Sequence, residues 1–134
     1  MANKKIPNIG VHHLALSAAD LDKSVKFYTE GLGFELAAKW GEGTSGAVLL
    51  DIGDGSHLEI FANGNPNEQK DAKFSHYAFA TSNPDIAYEN ALKAGAVSQM
   101  PPKNVDIPSD PVMPVRIAFV RGPDGEVIEF FKVL

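Results

Sequence analysis

The chain has 134 residues, 44% of them apolar, with a formal charge of −5 and no cysteine. That is enough for one ordinary globular domain or for two small modules sharing a core. Twelve basic against seventeen acidic residues, with no basic stripe, argue against a nucleic-acid partner, and the missing cysteines exclude disulfides, thiolate chemistry and iron–sulfur sites.

The opening Met-Ala-Asn-Lys-Lys lacks an apolar signal-peptide core, and no segment approaches the roughly 20 apolar residues that span a bilayer. A cytoplasmic protein without a membrane partner is expected. Val11 to Ser17 reads as a strand. A helix follows, capped by Asp20, with Leu21, Val25, Tyr28 and Leu32 at helical spacing and a stop at Gly31 and Gly33. Phe34 to Trp40 and Ala47 to Ile52 read as strands, and Gly53-Asp54-Gly55 predicts a hairpin into a strand from His57 to Phe61. Trp40 and the Phe27-Tyr28 pair are expected in the core.

The order then repeats. Ser75 to Thr81 is a strand, Asn83 caps a helix with Pro84 in its first turn, and Gly95 ends it. Strands follow around Ala96 to Met100 and Val115 to Val120, and Asp124-Gly125 turns into Val127 to Val133. Pro101 to Pro114, with five prolines, reads as a loop bordering the site. The expected fold is therefore α+β, with two βαβββ modules pairing into a cup-shaped mixed sheet and helices on the outer face. The whole of 1–134 forms one domain, built of modules 9–62 and 74–133 joined by a polar linker, 63–73.

Aligning the halves sets His13 on His76, Gly33 on Gly95, Asp54-Gly55 on Asp124-Gly125, and Glu59 on Glu129. Side chains alternate along a strand, so His13 shares its face with Ala15 and Ser17, and His76 shares its face with Ala78 and Ala80. These small neighbours leave a hollow. Each Glu lies beside apolar groups on its own face, Phe61 for Glu59 and Val127 with Phe131 for Glu129, so each carboxylate requires a positive partner. A single strand His or Glu is usually structural. Two of each at matching places point to one divalent ion bound by His13, Glu59, His76 and Glu129. Two imidazoles and two carboxylates suit zinc, nickel, cobalt, manganese or iron(II) and leave room for substrate.

The opening motif, His13-Leu-Ala-Leu-Ser-Ala-Ala-Asp-Leu21 with Ser24, Phe27-Tyr28 and Leu32-Gly33-Phe34, resembles that of the vicinal oxygen chelate superfamily. So do the closing Ile117-Ala-Phe-Val120, Pro123-Asp-Gly125 and Val127-Ile-Glu129. The superfamily includes glyoxalase I, bleomycin-resistance proteins and dioxygenases. The His, Glu, His, Glu quartet is most similar to the metal set of glyoxalase I, the lactoylglutathione lyase.

The resemblance implies a metal-dependent lyase or isomerase that abstracts a proton beside two chelated substrate oxygens, with Glu129 as preferred base and Glu59 able to serve the other face. Glutathione or another thiol is the implied cosubstrate. Asn63 matches a glutathione-contacting position, but Ser17 stands where glyoxalase I commonly carries an Arg that holds a glutathione carboxylate. An epimerase or isomerase of a non-glutathione substrate such as an acyl-CoA thioester therefore stays open, as does a drug-binding resistance protein without catalysis.

Placing Val120 opposite Glu129 in a tight Asp-Gly hairpin would turn Arg116 into the cup, where it would anchor an anionic part of the substrate. His57 shares Glu59's face as an outer donor or a surface group, and His12 faces away from His13 and packs. A small-molecule substrate and a homodimer complete the expectation.

Overall fold

A computed structural model describes residues 2–31, 33–66, 73–122 and 127–134. Leu32, the Asp124-Gly125 turn with Pro123, and most of the expected linker lie outside the described residues. The chain divides into two compact units, residues 13–75 with 108–111, and residues 1–12 with 76–107 and 112–134.

The first unit takes most of β1 (Gly10–Ser17), then α1 (Leu21–Lys26), β2 (Glu35–Trp40), β3 (Ala47–Asp51) and β4 (His57–Phe61). Its strands lie in the order β2-β3-β4-β1, with β1 parallel to β4 and the other pairs antiparallel. The Asp20 carboxylate accepts from the backbone N–H of Lys23 at 3.0 Å and opens α1 as expected. The helix continues as a π-helical turn over Phe27–Gly31 and closes at Gly33, whose φ of 79° favours glycine. There Gly33 N–H donates to Thr29 O and Phe34 N–H to Tyr28 O, which satisfies carbonyls that the helix end would otherwise strand.

Alternation sends Leu14, Leu16, Val48, Leu50, Leu58 and Ile60 to the helix side of the sheet. There they form a core with Leu21, Val25, Tyr28 and Phe34. Phe27 departs from expectation. The helical turn aims it outward, 57% exposed, with its ring edge-on to Tyr28 at 5.0 Å. Trp40 is half-buried at the end of β2 and is not part of this cluster. A register shift between Leu36 and Ala38 puts it opposite Ala47.

The second unit contains β5 (Lys73–Ala80, from His76 onward), α2 (Pro84–Lys93), β6 (Val97–Ile107), β7 (Met113–Arg121) and β8 (Val127–Val133). Its order β5-β8-β7-β6, with β5 parallel to β8 and the rest antiparallel, repeats the plan of the first. Asn83 caps α2 by accepting from Ile86 N–H at 3.1 Å, Pro84 occupies the first turn, and Gly95 at φ 107° ends the helix. Ala87, Val120 and Phe130 centre the core between α2 and the sheet, with Phe79, Tyr88, Ala91 and Ile128 around them.

Two features differ from the sequence reading. Pro101 to Pro114 is not a loop, because β6 runs to Ile107 and only residues 108–112 interrupt the pairing with β7. Pro101 and Pro102 are tolerated since β6 ends the strand order of its unit and the ladder shifts between Met100 and Lys103. The segment before β1 also has a structural role, joining the second unit. Pro7 O accepts from Thr81 Oγ1 at 2.8 Å, Lys5 O accepts from Asn90 Nδ2 at 3.0 Å, and Ile6 packs into the α2 core.

The chain is therefore α+β, two βαβββ modules each carrying its helix on one face of a mixed sheet. No helix among the described residues is long and apolar enough to cross a membrane.

Candidate metal centre

In the first unit the ladder pairs His13 with His57 and Ala15 with Glu59. His13 and Glu59 are thus diagonal neighbours on the sheet face turned away from the α1 core, with the small Ala15 beside both. Their Nε2 and Oε1 atoms are 3.5 Å apart. Both side chains are sequestered, His13 at 1% and Glu59 at 7% exposure. Leu49 stands across from Glu59 on β3.

The second unit repeats the construction. Ala78 pairs with Glu129 and Phe119 faces Glu129 from β7. Strand alternation puts His76 on the face of Ala78 and Glu129, and His76 Nε2 lies 3.0 Å from Glu129 Oε2. Phe119 also meets the His76 ring edge-on at 5.7 Å and 85°, so one aromatic side chain supports both members of the pair. Glu129 is 5% exposed.

A carboxylate removed from water needs a cation, either a protonated imidazole or a metal ion. The donor chemistry fits the second choice. Each module presents one imidazole nitrogen and one carboxylate oxygen, the borderline-to-hard set that divalent zinc, nickel, cobalt, manganese and iron(II) accept. The residues present are therefore suited to the group that the sequence implied.

The other candidates are placed as follows. His57 is half-buried across from His13 and from Asp51, on Glu59's face. His12 packs its ring on Phe131 at a centroid distance of 4.1 Å. Asn63 is exposed, two residues beyond β4.

Arg116 requires a correction. The β7–β8 register sets Phe119, not Val120, opposite Glu129. A shift of one residue turns a strand over, so Arg116 lies on the helix side. There its Nε donates to Asp85 Oδ2 at 2.6 Å, Nη2 to Asp85 Oδ1 at 2.7 Å, and Nη1 to Asn104 Oδ1 at 2.9 Å. This two-pronged bond holds the Asp85 carboxyl below its ordinary pKa, with the Arg116 charge adding to it.

The same shift brings Phe119 and Arg121 to Glu129's face, and sequence reasoning missed both. The last paired residues are Arg121 and Val127, so residues 122–126 separate the strands, an odd number that a two-residue turn cannot produce. The first module held the clue, because Asp51 and His57 are likewise separated by 52–56.

Known proteins share this sequence pattern and fold. A protein of Vibrio parahaemolyticus named "Probable lactoylglutathione lyase" is 33% identical over 129 residues, covering 90% of this chain and 88% of its own. A Vibrio cholerae protein of the same name is 29% identical over 132 residues, covering 93% and 91%. The crystal structure of methylmalonyl-CoA epimerase from Mycobacterium tuberculosis superposes with a TM-score of 0.73 at 19% identity, covering 98% of this chain and 91% of that one, a likeness of fold. The profile of the Glyoxalase/Bleomycin resistance protein/Dioxygenase superfamily matches residues 10–130. With the repeated module and its paired His and Glu, that match means the chain belongs to this superfamily.

Proposed function

We propose that the chain is a metal-dependent lyase or isomerase of the glyoxalase kind, acting on a small molecule with two adjacent oxygens. One observation carries the reading: each module sets an imidazole beside a buried carboxylate on the sheet face opposite its helix, His13 with Glu59 and His76 with Glu129. In this reading the four residues hold one divalent ion, Zn, Ni, Co, Mn or Fe, within a single domain spanning 1–134. The bound ion supplies Lewis acidity toward the substrate oxygens.

The chain's own residues supply the rest. Glu129 takes the proton from the carbon beside those oxygens and returns it to the neighbouring carbon, so no net proton is gained or lost. Glu59 serves the opposite face of the substrate or remains a ligand. Leu49 and Phe119, each across the ladder from a Glu, help keep water from the carboxylates. The protein acts in the cytoplasm as a homodimer.

Two thiol classes are distinguished by one feature. Ser17 continues the His13 face of β1 and offers no cation for a glutathione carboxylate, and Arg116 is engaged by Asp85. This favours a non-glutathione substrate, such as an acyl-CoA thioester acted on by an epimerase, as the second reading. Asn63 remains the candidate contact if glutathione is used.

The test is metal content by mass spectrometry of nickel- and zinc-loaded protein, followed by turnover of methylglyoxal hemithioacetals made with glutathione and with other thiols, and of 2-methyl acyl-CoA thioesters. One ion per chain with proton exchange on any of these supports the reading. A protein that retains no divalent metal overturns it and favours a sequestering role.

A further inference from the structure

We propose that the cavity between the start of α1 and the β2–β3 connection is a second ligand site, one that takes a small organic cation such as a quaternary ammonium ion. The inference does not depend on the metal reading. The cavity measures about 740 Å³, within the size range of small-molecule sites, and all of its lining residues belong to the first unit. None of His13, Glu59, His76 and Glu129 lines it.

One wall is Trp40, the single tryptophan of the chain. A large aromatic side chain usually stabilises a fold by entering a core. Trp40 instead stays half-buried, outside the hydrophobic cluster beneath α1, and lines the cavity. Ala19, Gly46 and Ala62 leave space beside it.

The connection that closes the cavity is held in one shape. Ser45 Oγ donates to Glu42 O at 2.7 Å, and Gly46 N–H to Gly43 O at 3.0 Å. At Gly41, where φ is 73°, a Cβ would collide with Ser45 O, so only glycine lets the chain fold back there. A tight turn therefore presents Trp40, and little ordering is left for a ligand to impose.

Charge decides the ligand class. Asp20, Asp22 and Glu42 border the cavity, against one cation, Lys39. Alternation along β2 sends Lys39 and Trp40 to opposite faces of the strand, so the indole is left for another cation. Asp20 is partly committed to Lys23 N–H, whereas Asp22 is exposed and makes no hydrogen bond or ion pair among the described residues. Carboxylates alone would hold water and inorganic ions equally well. The indole face adds selection for a cation whose charge lies under methyl groups, because such an ion is weakly hydrated and is attracted by the ring quadrupole.

The test is titration with choline, set against its neutral carbon isostere 3,3-dimethyl-1-butanol, of wild type, Trp40→Leu, Trp40→Phe and Asp22→Asn. Calorimetry reads all four proteins, and intrinsic fluorescence also reads wild type and Asp22→Asn, because Trp40 is the sole indole. Choline is expected to change Trp40 emission saturably and to bind about tenfold or more tighter than the isostere. Trp40→Leu should weaken choline about fivefold or more, and Trp40→Phe should recover part of the loss. Asp22→Asn, an exposed change, should weaken it about two- to fivefold, and less at high salt. Metal-free and metal-loaded wild type should bind choline equally, so a failed metal reading leaves this result standing.

Equal binding of choline and the isostere overturns the proposal, as does the lack of saturable binding in wild type or a Trp40→Leu protein that binds as wild type. Affinity that appears only on metal loading also overturns it, since the probe then sits at the metal centre. Should circular dichroism show Trp40→Leu to be unfolded, Asp22→Asn and the isostere decide.

Discussion

The two modules keep one part of their design and vary another. His13 and His76, Ala15 and Ala78, and Glu59 and Glu129 occupy matching positions of corresponding strands, and in each module the His lies against the Glu beside a small alanine. The residues around them have diverged. Leu49 opposes the first Glu and Phe119 the second, while the strand ends carry Asp51 with His57 in one module and Arg121 with Val127 in the other. The second pair is also the tighter, 3.0 Å against 3.5 Å. The shared part presents the nitrogen and oxygen donors on which the proposed function rests, and the varied part changes what surrounds them. A duplicated fold can thus keep one pair of side chains in both copies and vary the residues one ladder step away.

The sharpest way to break this comparison is to remove the two carboxylates in turn. If Glu129 is the base, Glu129→Gln should lower kcat by about 10²- to 10⁴-fold with part of the metal retained. Glu59→Gln should cost less in turnover and at least as much in metal content. Equal losses in kcat, measured on metal-replete protein, would mean that the modules share the proton transfer.

The cores give the next largest effect. Leu50 is fully buried beneath α1, and Phe130 is 4% exposed beneath α2. Denaturant titration should show losses of about 2–5 kcal/mol for Leu50→Ala and about 3–5 kcal/mol for Phe130→Ala. A loss well under 1 kcal/mol at either would mean that the surrounding module does not pack as described.

Helix caps come third. Asp20→Ala and Asn83→Ala should each cost about 1 kcal/mol, and glycine at either position only a few tenths. A thermal scan in which one cap is silent would mark that helix as held by its packing alone.

The smallest effect concerns the Arg116–Asp85 ion pair, whose arginine has Gly46 as its counterpart in the first module. The hydrogen bond from Arg116 lowers the Asp85 pKa below 3.8, so the carboxylate contributes stability above that ordinary value and loses it as pH falls through the lower folded value. The melting temperature of Asp85→Asn should therefore lie slightly below wild type near neutrality, and the gap should begin to close as pH falls below the ordinary carboxylate value and vanish below the lowered folded one. Both partners are partly exposed, so salt should shrink the difference. A gap that does not narrow at all as the solution is acidified would assign Asp85 a role other than this pair.

Some of this molecule was legible without coordinates, because the signals were local or repeated. The Asp20 and Asn83 caps, the Gly33 and Gly95 stops, and the strand alternation depend on neighbours a few residues away. The repetition of His and Glu in two similar segments singled them out where either alone would have passed as structural. Hairpin register was not legible. It is fixed by the number of residues that the connection leaves unpaired, and a familiar Asp-Gly turn invites an even count where the strands leave an odd one.

Proline misled in a similar way. Pro101 and Pro102 discourage a strand locally, yet an edge strand needs hydrogen bonds on only one side, and nothing in the local sequence marks β6 as an edge. Residues 5–7 likewise carry no strong local signal and obtain their role from Thr81 and Asn90, more than seventy residues away.

The sequence by itself determined the duplicated α+β plan and the absence of thiolate ligands, and it singled out the two His and two Glu on which the proposed function rests. Only the tertiary structure decided which arginine shares a face with Glu129. Side chains alternate with a period of two, so one residue of register, set by strand pairing across residues 122–126, exchanges Arg116 for Arg121.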